Sequence, residues 1–196
     1  REFLASVKDH RTADGRYLTL AGYDAAPGTS GVVTANSTTI NRIIARVDAY
    51  GIVDTSTRIS DGYNGSNIRG AVTSDGFSFW ASGNSTTSTG GTRYVTLGSA
   101  GASTLISGTL TNTRTINIFN NQIYLTSSSG TFYGVSSVGS GLPTTAGQTT
   151  TLLSGFPSAA GPSPYGFVLL DLLPGIAGLD TAYVADDRAI ASGGGI

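Results

Sequence analysis

Asn67-Ile68-Arg69-Gly70-Ala71-Val72-Thr73-Ser74-Asp75-Gly76-Phe77-Ser78-Phe79-Trp80 is echoed by Asn112-Thr113-Arg114-Thr115-Ile116-Asn117-Ile118-Phe119-Asn120-Asn121-Gln122-Ile123-Tyr124-Leu125 at an offset of 112 − 67 = 45 residues. Each copy opens on Asn-x-Arg, runs into a short apolar strand, turns, and returns as a second apolar strand. Asp75-Gly76 and Asn120-Asn121 are suited to the positive φ angles of tight hairpin turns. The second half of the unit recurs as well. Tyr94-Val95-Thr96-Leu97 and Thr104-Leu105-Ile106 form one hairpin, and residues 134–138 with Thr150-Thr151-Leu152-Leu153 form its counterpart. Four short strands per repeat of roughly 45 residues is the signature of one propeller blade.

The flanks fit the same template. Asp14-Gly15 precedes a strand at Tyr17-Leu18-Thr19-Leu20, and Ile43-Ile44-Ala45-Arg46-Val47 turns through Ala49-Tyr50-Gly51 toward Ile52-Val53. Tyr165-Gly166-Phe167-Val168-Leu169-Leu170 and Thr181-Ala182-Tyr183-Val184-Ala185 read as the first two strands of a last unit. No apolar 3.6-residue period persists with caps, so no helix is expected. The expectation is an all-β fold: a β-propeller arc of about three and a half four-stranded blades, with blade-like units at 1–60, 67–107, 112–154 and an incomplete 165–196. An open arc leaves a blade face and strand edges uncovered, which predicts that another chain or a second copy completes the ring. A β-sandwich or β-solenoid without strict repeats is the competing architecture.

Composition narrows the function classes. Charged residues make up 12% of the 196-residue chain, against roughly 25% in an ordinary soluble domain. The surface is instead rich in Ser, Thr and 28 glycines. A net charge of −1, with Lys8 the one lysine, offers no electrostatic footprint for nucleic acid. Cysteine is absent, which excludes disulfides, thiolate nucleophiles and Cys-ligated metals. No stretch approaches the roughly 18 apolar residues of a membrane span. The apolar run at 167–173 is interrupted by Asp171 and stopped by Pro174. The chain starts at Arg1 without Met or a signal peptide and reads as a processed or excised piece. Asn36, Asn64 and Asn84 open Asn-x-Ser/Thr sequons in loops, where glycans are acceptable in a secreted protein.

Three segments carry a family likeness. They are Gly178-Leu179-Asp180-Thr181-Ala182-Tyr183-Val184-Ala185-Asp186-Asp187 with the following Gly193-Gly194-Gly195-Ile196, Asp14-Gly15-Arg16-Tyr17-Leu18-Thr19-Leu20-Ala21-Gly22-Tyr23, and Val138-Gly139-Ser140-Gly141-Leu142-Pro143-Thr144-Thr145. Together they resemble the blades of large secreted β-propeller repeat proteins. The resemblance implies an extracellular location and further sequence on both sides. It names no reaction and supplies no catalytic residue.

Candidate sites follow from the blade frame, in which the connections between blades gather on one face. That face would collect Asp61, Tyr63, Asn67 and Arg69, then Asn112 and Arg114, then Tyr165, as ligand-binding residues. Planar guanidinium forks on Arg69 and Arg114 suit carboxylate, sulfate or sugar hydroxyls. The blander reading makes Asn-x-Arg a structural repeat whose Arg bonds carbonyls of the neighbouring blade. Aligning the second strands sets Asp186 and Asp187 where the other blades carry no charge. Paired acids there suit a Ca²⁺ site or a glycosidase acid/base pair, against the plainer reading of a turn or an Arg188 partner. Trp80, inside an apolar strand, is assigned to core packing rather than sugar stacking. His10 is the one histidine, outside any clear strand, and no Gly-x-Ser-x-Gly elbow exists to support a triad.

The leading expectation is a non-catalytic extracellular module that binds a glycan or protein partner or serves a structural role. No cofactor is called for beyond the Ca²⁺ alternative. A carbohydrate-active hydrolase or lyase is the rival, and it requires two carboxylates, Asp186 and any of Asp24, Asp61 or Asp187, converging at about 5–10 Å. A subunit of an extracellular filament is the third reading.

Overall fold

The computed structural model describes residues 10–85 and 87–196. Within them the chain is all-β, with one turn of 3-10 helix at Ile190–Ser192. The first sheet contains β1 (His10–Arg11), β2 (Tyr17–Tyr23), β3 (Arg42–Asp48) and β4 (Val53–Ile59), joined as an antiparallel meander in chain order. The second contains β5 (Ile68–Thr73), β6 (Ser78–Gly83), β7 (Thr92–Thr96) and β9 (Thr104–Ser107). Between the last two, β8 (Ala100–Gly101) leaves its own sheet and pairs in parallel with β4. The third sheet is β10 (Ile116–Phe119), β11 (Gln122–Ser129), β12 (Phe132–Val138) and β13 (Thr150–Leu152), and the fourth pairs β14 (Pro164–Leu170) with β15 (Thr181–Asp186).

The four units therefore follow the expected hairpins, with two differences. His10, expected outside any strand, lies in β1 opposite Thr19. The segment around 98–102, expected as a plain loop, carries β8 and ties the second sheet to the outer edge of the first. Residues 1–9 of the first expected unit lie outside the described residues. The Asn120-Asn121 turn behaves as its sequence predicts: both residues have positive φ, 45° and 56°. The strands close on either side as Phe119 opposite Gln122.

The sheets pack in chain order. β2 lies on β5, β5 on β10, and β11 on β14. The second sheet is buried on both faces, which explains the unbroken apolar run Phe79-Trp80-Ala81. Phe79 and Ala81 join Ala71, Ile44, Ile59 and Tyr23 in the core against the first sheet. Trp80, pointing the other way, joins Val72, Ile116, Ile123 and Leu125 in the core against the third. Successive strand residues face opposite sides, so a strand sandwiched between two neighbours needs apolar residues at every position. Trp80 is 2% exposed and its indole N–H donates to the Pro143 carbonyl at 2.7 Å. It is a core residue, as its strand context predicts.

Between the third and fourth sheets the contact is aromatic, with Phe119 and Phe167 edge to face at 5.7 Å. The far face of the fourth sheet is open. Val168 and Tyr183, directly paired across β14 and β15, are 37% and 50% exposed.

Candidate functional site

The residues expected on the inter-sheet face divide into two groups. Arg69, Asn112, Arg114, Tyr165 and Asp187 come together. Arg69 leaves β5 and donates from Nη1 to Asn112 Oδ1 at 2.7 Å and to the Thr113 carbonyl at 2.9 Å. Arg114 repeats the gesture one unit on, reaching the Ser163 and Pro164 carbonyls at 3.4 Å each and Asp187 Oδ2 at 3.2 Å. Its guanidinium lies 5.2 Å from the centre of the Tyr165 ring. The Tyr165 carbonyl in turn accepts from the Thr126 hydroxyl at 2.7 Å. Burial lowers the Arg69 pKa, and the neighbouring Arg114 charge acts in the same direction. One nitrogen of each guanidinium in this repeat, Nη1, is thus engaged by the chain itself, joining one sheet to the segment that opens the next.

Asp61, Tyr63 and Asn67 do not join that cluster. Asp61 pairs with Arg93 at 3.2 Å and accepts the Ser103 N–H and hydroxyl at 3.0 and 2.8 Å. Tyr63 is fully buried, with φ at 54° and its hydroxyl donating to the Gly91 carbonyl at 3.2 Å. Burial pushes its phenol far above the ordinary range. The Asn67 carbonyl accepts the Asn84 N–H at 2.8 Å.

Asp186 and Asp187 share Ser163 but pair with different arginines, Arg188 and Arg114. Asp186 accepts the Ser163 N–H at 2.9 Å, the Arg188 N–H at 3.0 Å, and two guanidinium bonds from Arg188 at 2.9 Å each. The Arg188 bonds hold its carboxyl well below the usual carboxylate range. Asp187 is lowered by its bond with Ser163 and by Arg114. Among the described residues no group of three or more His, Asp or Glu side chains is placed to hold a metal ion. Asp24 pairs with Arg58 at 2.6 Å.

The three sequons differ in setting. Asn36 is exposed, but its Oδ1 accepts the N–H and hydroxyl of Thr38, its own sequon residue, at 3.0 and 2.8 Å. Asn64 Oδ1 accepts the Ser37 N–H at 2.9 Å. Asn84 bridges to Asn112 across the sheets, and its sequon ends at a residue outside the described set.

Sequence reasoning missed a cleft of about 300 Å³ that takes walls from three sheets. His10 and Arg11 of β1, the turn that follows them, the end of β5 at Val72-Thr73-Ser74, and Asn117, Asn120 and Asn121 of the β10 hairpin line it. Its only local signal was the hairpin turn chemistry of Asn120-Asn121, which marks a loop and not a site.

Comparison of the chain with family models, curated proteins and solved structures returns no match. No helix among the described residues is long and apolar enough to cross a membrane.

Proposed function

We propose that this chain is an extracellular, non-catalytic propeller module that binds a glycan or a protein partner. One observation carries the non-catalytic part: every acid singled out for chemistry already has its own partners. Asp24 has Arg58, Asp61 has Arg93 and Ser103, Asp186 has Arg188, and Asp187 has Arg114. A general acid needs a carboxyl held neutral near working pH, and the shifts at Asp186 and Asp187 run the other way. The arginine pairing of these acids speaks against the hydrolase or lyase reading.

The propeller part rests on four antiparallel units in chain order, each packed on the next through its first or second strand. A ring of blades requires that sequence of contacts. The open Val168 and Tyr183 face of β14 and β15 is the surface on which a second chain or copy would continue it. The filament reading uses the same face with contacts that do not close.

Sedimentation and light scattering on the purified chain test the assembly. A discrete closed oligomer supports ring completion by a second copy, and a concentration-dependent ladder supports the filament. A compact particle near 19.9 kDa sinks both self-assembled forms. For catalysis, absence of glycan turnover by the wild-type chain agrees with the proposal, whereas a turnover that D186N abolishes overturns it.

A further inference from the structure

Nearly every arginine among the described residues is committed within the fold. Arg16, Arg46, Arg58, Arg93, Arg114 and Arg188 pair with aspartates, while Arg42 and Arg69 are absorbed by carbonyls and an amide. Arg11 is the exception among the described residues: its guanidinium has no carboxylate or carbonyl partner. It is exposed, it belongs to β1, and it lies on the wall of the three-sheet cleft. Its position is set by the adjoining turn. Gly15, at φ 73°, leaves the space that the guanidinium fills, and a Cβ there would stand 2.6 Å from Arg11 Nη2.

The negative charge on the adjoining turn is already spent. Asp14 accepts the Thr12 hydroxyl at 2.7 Å and the Arg16 N–H at 3.1 Å, and pairs with the Arg16 guanidinium. Across the cleft, Asn117 uses its Oδ1 on the Ile118 N–H at 2.9 Å, which leaves its amide N–H₂ as a donor. Asn120 and Asn121 are exposed on the rim, and Ser74 adds a hydroxyl. The aggregate is one uncommitted cation facing amide and hydroxyl groups, with His10 and the Arg16-paired Asp14 also on the walls. Its volume is at the small end of ligand pockets, which run from roughly 300 Å³ upward.

We propose that this cleft binds a carboxylate-bearing sugar, a hexuronate residue of a glycan, with Arg11 on the carboxylate and the Asn117, Asn120 and Asn121 amides on the ring hydroxyls. The guanidinium presents two parallel N–H donors matched to a carboxylate. Amides that both donate and accept suit vicinal hydroxyls. No metal or covalent step is involved. The proposal rests on the glycan-binding reading above and narrows it to one site and one sugar class.

Calorimetric titration with sodium glucuronate, sodium galacturonate, glucose and sodium acetate tests it on the whole chain. The uronates are expected to bind, with added salt weakening them, and glucose and acetate to bind at least tenfold more weakly. R11A is expected to lose uronate binding at least tenfold with an unchanged melting temperature, because the side chain makes no bond among the described residues. R11K, which keeps charge without the fork, is expected to fall between. Acetate binding as tightly as glucuronate would overturn the sugar assignment. Uronate binding unaffected by R11A would overturn the cleft while leaving a glycan-binding module standing. Glucose binding that survives R11A, with no uronate binding, does the same. Absence of binding to every sugar sinks the cleft and the glycan reading together, and leaves the protein-partner form of the module.

Discussion

Arg69 Nη1 stands 2.9 Å from the Thr113 carbonyl, so a side chain from the first strand of one sheet ends on the segment that leads into the next. Arg114 does the same one unit later. The 45-residue recurrence of Asn-x-Arg is thereby explained as a joint between stacked sheets. A cation among carbonyls satisfies acceptors that strand pairing leaves over where the chain crosses from sheet to sheet.

Replacing Arg69 with Ala removes two charge-assisted hydrogen bonds, and the expected loss is about 1.5–3 kcal/mol of unfolding free energy. Urea denaturation of R69A, N112A and the double variant checks it. The pair in contact predicts a non-additive cycle, with coupling of roughly 0.5–3 kcal/mol. Strict additivity would mean the joint carries no energy.

Arg42 is fully buried, its Nη2 within 2.8–3.1 Å of the carbonyls of Val33, Ala35, Tyr63 and Ser66. The two Nη2 hydrogens are shared among these four, and Nη1 adds Ile40 at 2.7 Å. An R42M variant keeps much of the apolar stem and strands the acceptors, with an expected loss of about 3–5 kcal/mol. The 32–37 loop is expected to become the most protease-sensitive segment of that variant, as mapped by limited digestion and mass spectrometry.

Trp80, the single tryptophan, reports on the contact between the second and third sheets. Its emission is expected to be blue-shifted in the native state and to move red in one step with unfolding. W80F loses the 2.7 Å bond to Pro143 and some core volume. The unpaired carbonyl alone costs about 1–3 kcal/mol, measurable by calorimetry.

Acid sensitivity follows from the aspartates. Asp14 is held at about 2, chiefly by the Thr12 hydroxyl. Asp186 is lowered chiefly by Arg188, and Asp187 chiefly by Ser163. A carboxyl whose pKa is lower folded than unfolded contributes stability that is complete above its unfolded value, about 3.9 for Asp. That contribution is lost as pH falls through the folded value. The melting temperature is expected to stay level from neutral pH down to about 5 and to drop below about 4. In D186N the acid drop is expected to be shallower and the neutral-pH stability lower.

The strands were legible because hairpin signals are local. Asn120-Asn121 fixes its turn by φ preference, and the β-branched runs beside it need no distant partner to read as strands. The cleft was not legible, since its walls are contributed by residues as far apart as Arg11 and Asn121. Asp186 and Asp187 stood out as charges at positions uncharged elsewhere, and the contrast was real. One position in the preceding sheet makes a comparable link: the Ser127 hydroxyl donates to the Asn112 carbonyl at 2.9 Å, as Asp186 accepts the Ser163 N–H, while the arginine pairs belong to the aspartates.

Sequence alone determined the all-β character, the two-stranded and four-stranded units, and the core position of Trp80. These depend on residue-by-residue propensity and on a period of two. Tertiary structure alone decided which arginines are consumed and which one faces a cleft. A bond such as Thr19 Oγ1 to the Ala71 carbonyl, at 2.5 Å, exists only once one sheet has settled on the next. Stacking register brings partners together across long sequence separations, and no local pattern along the chain encodes it.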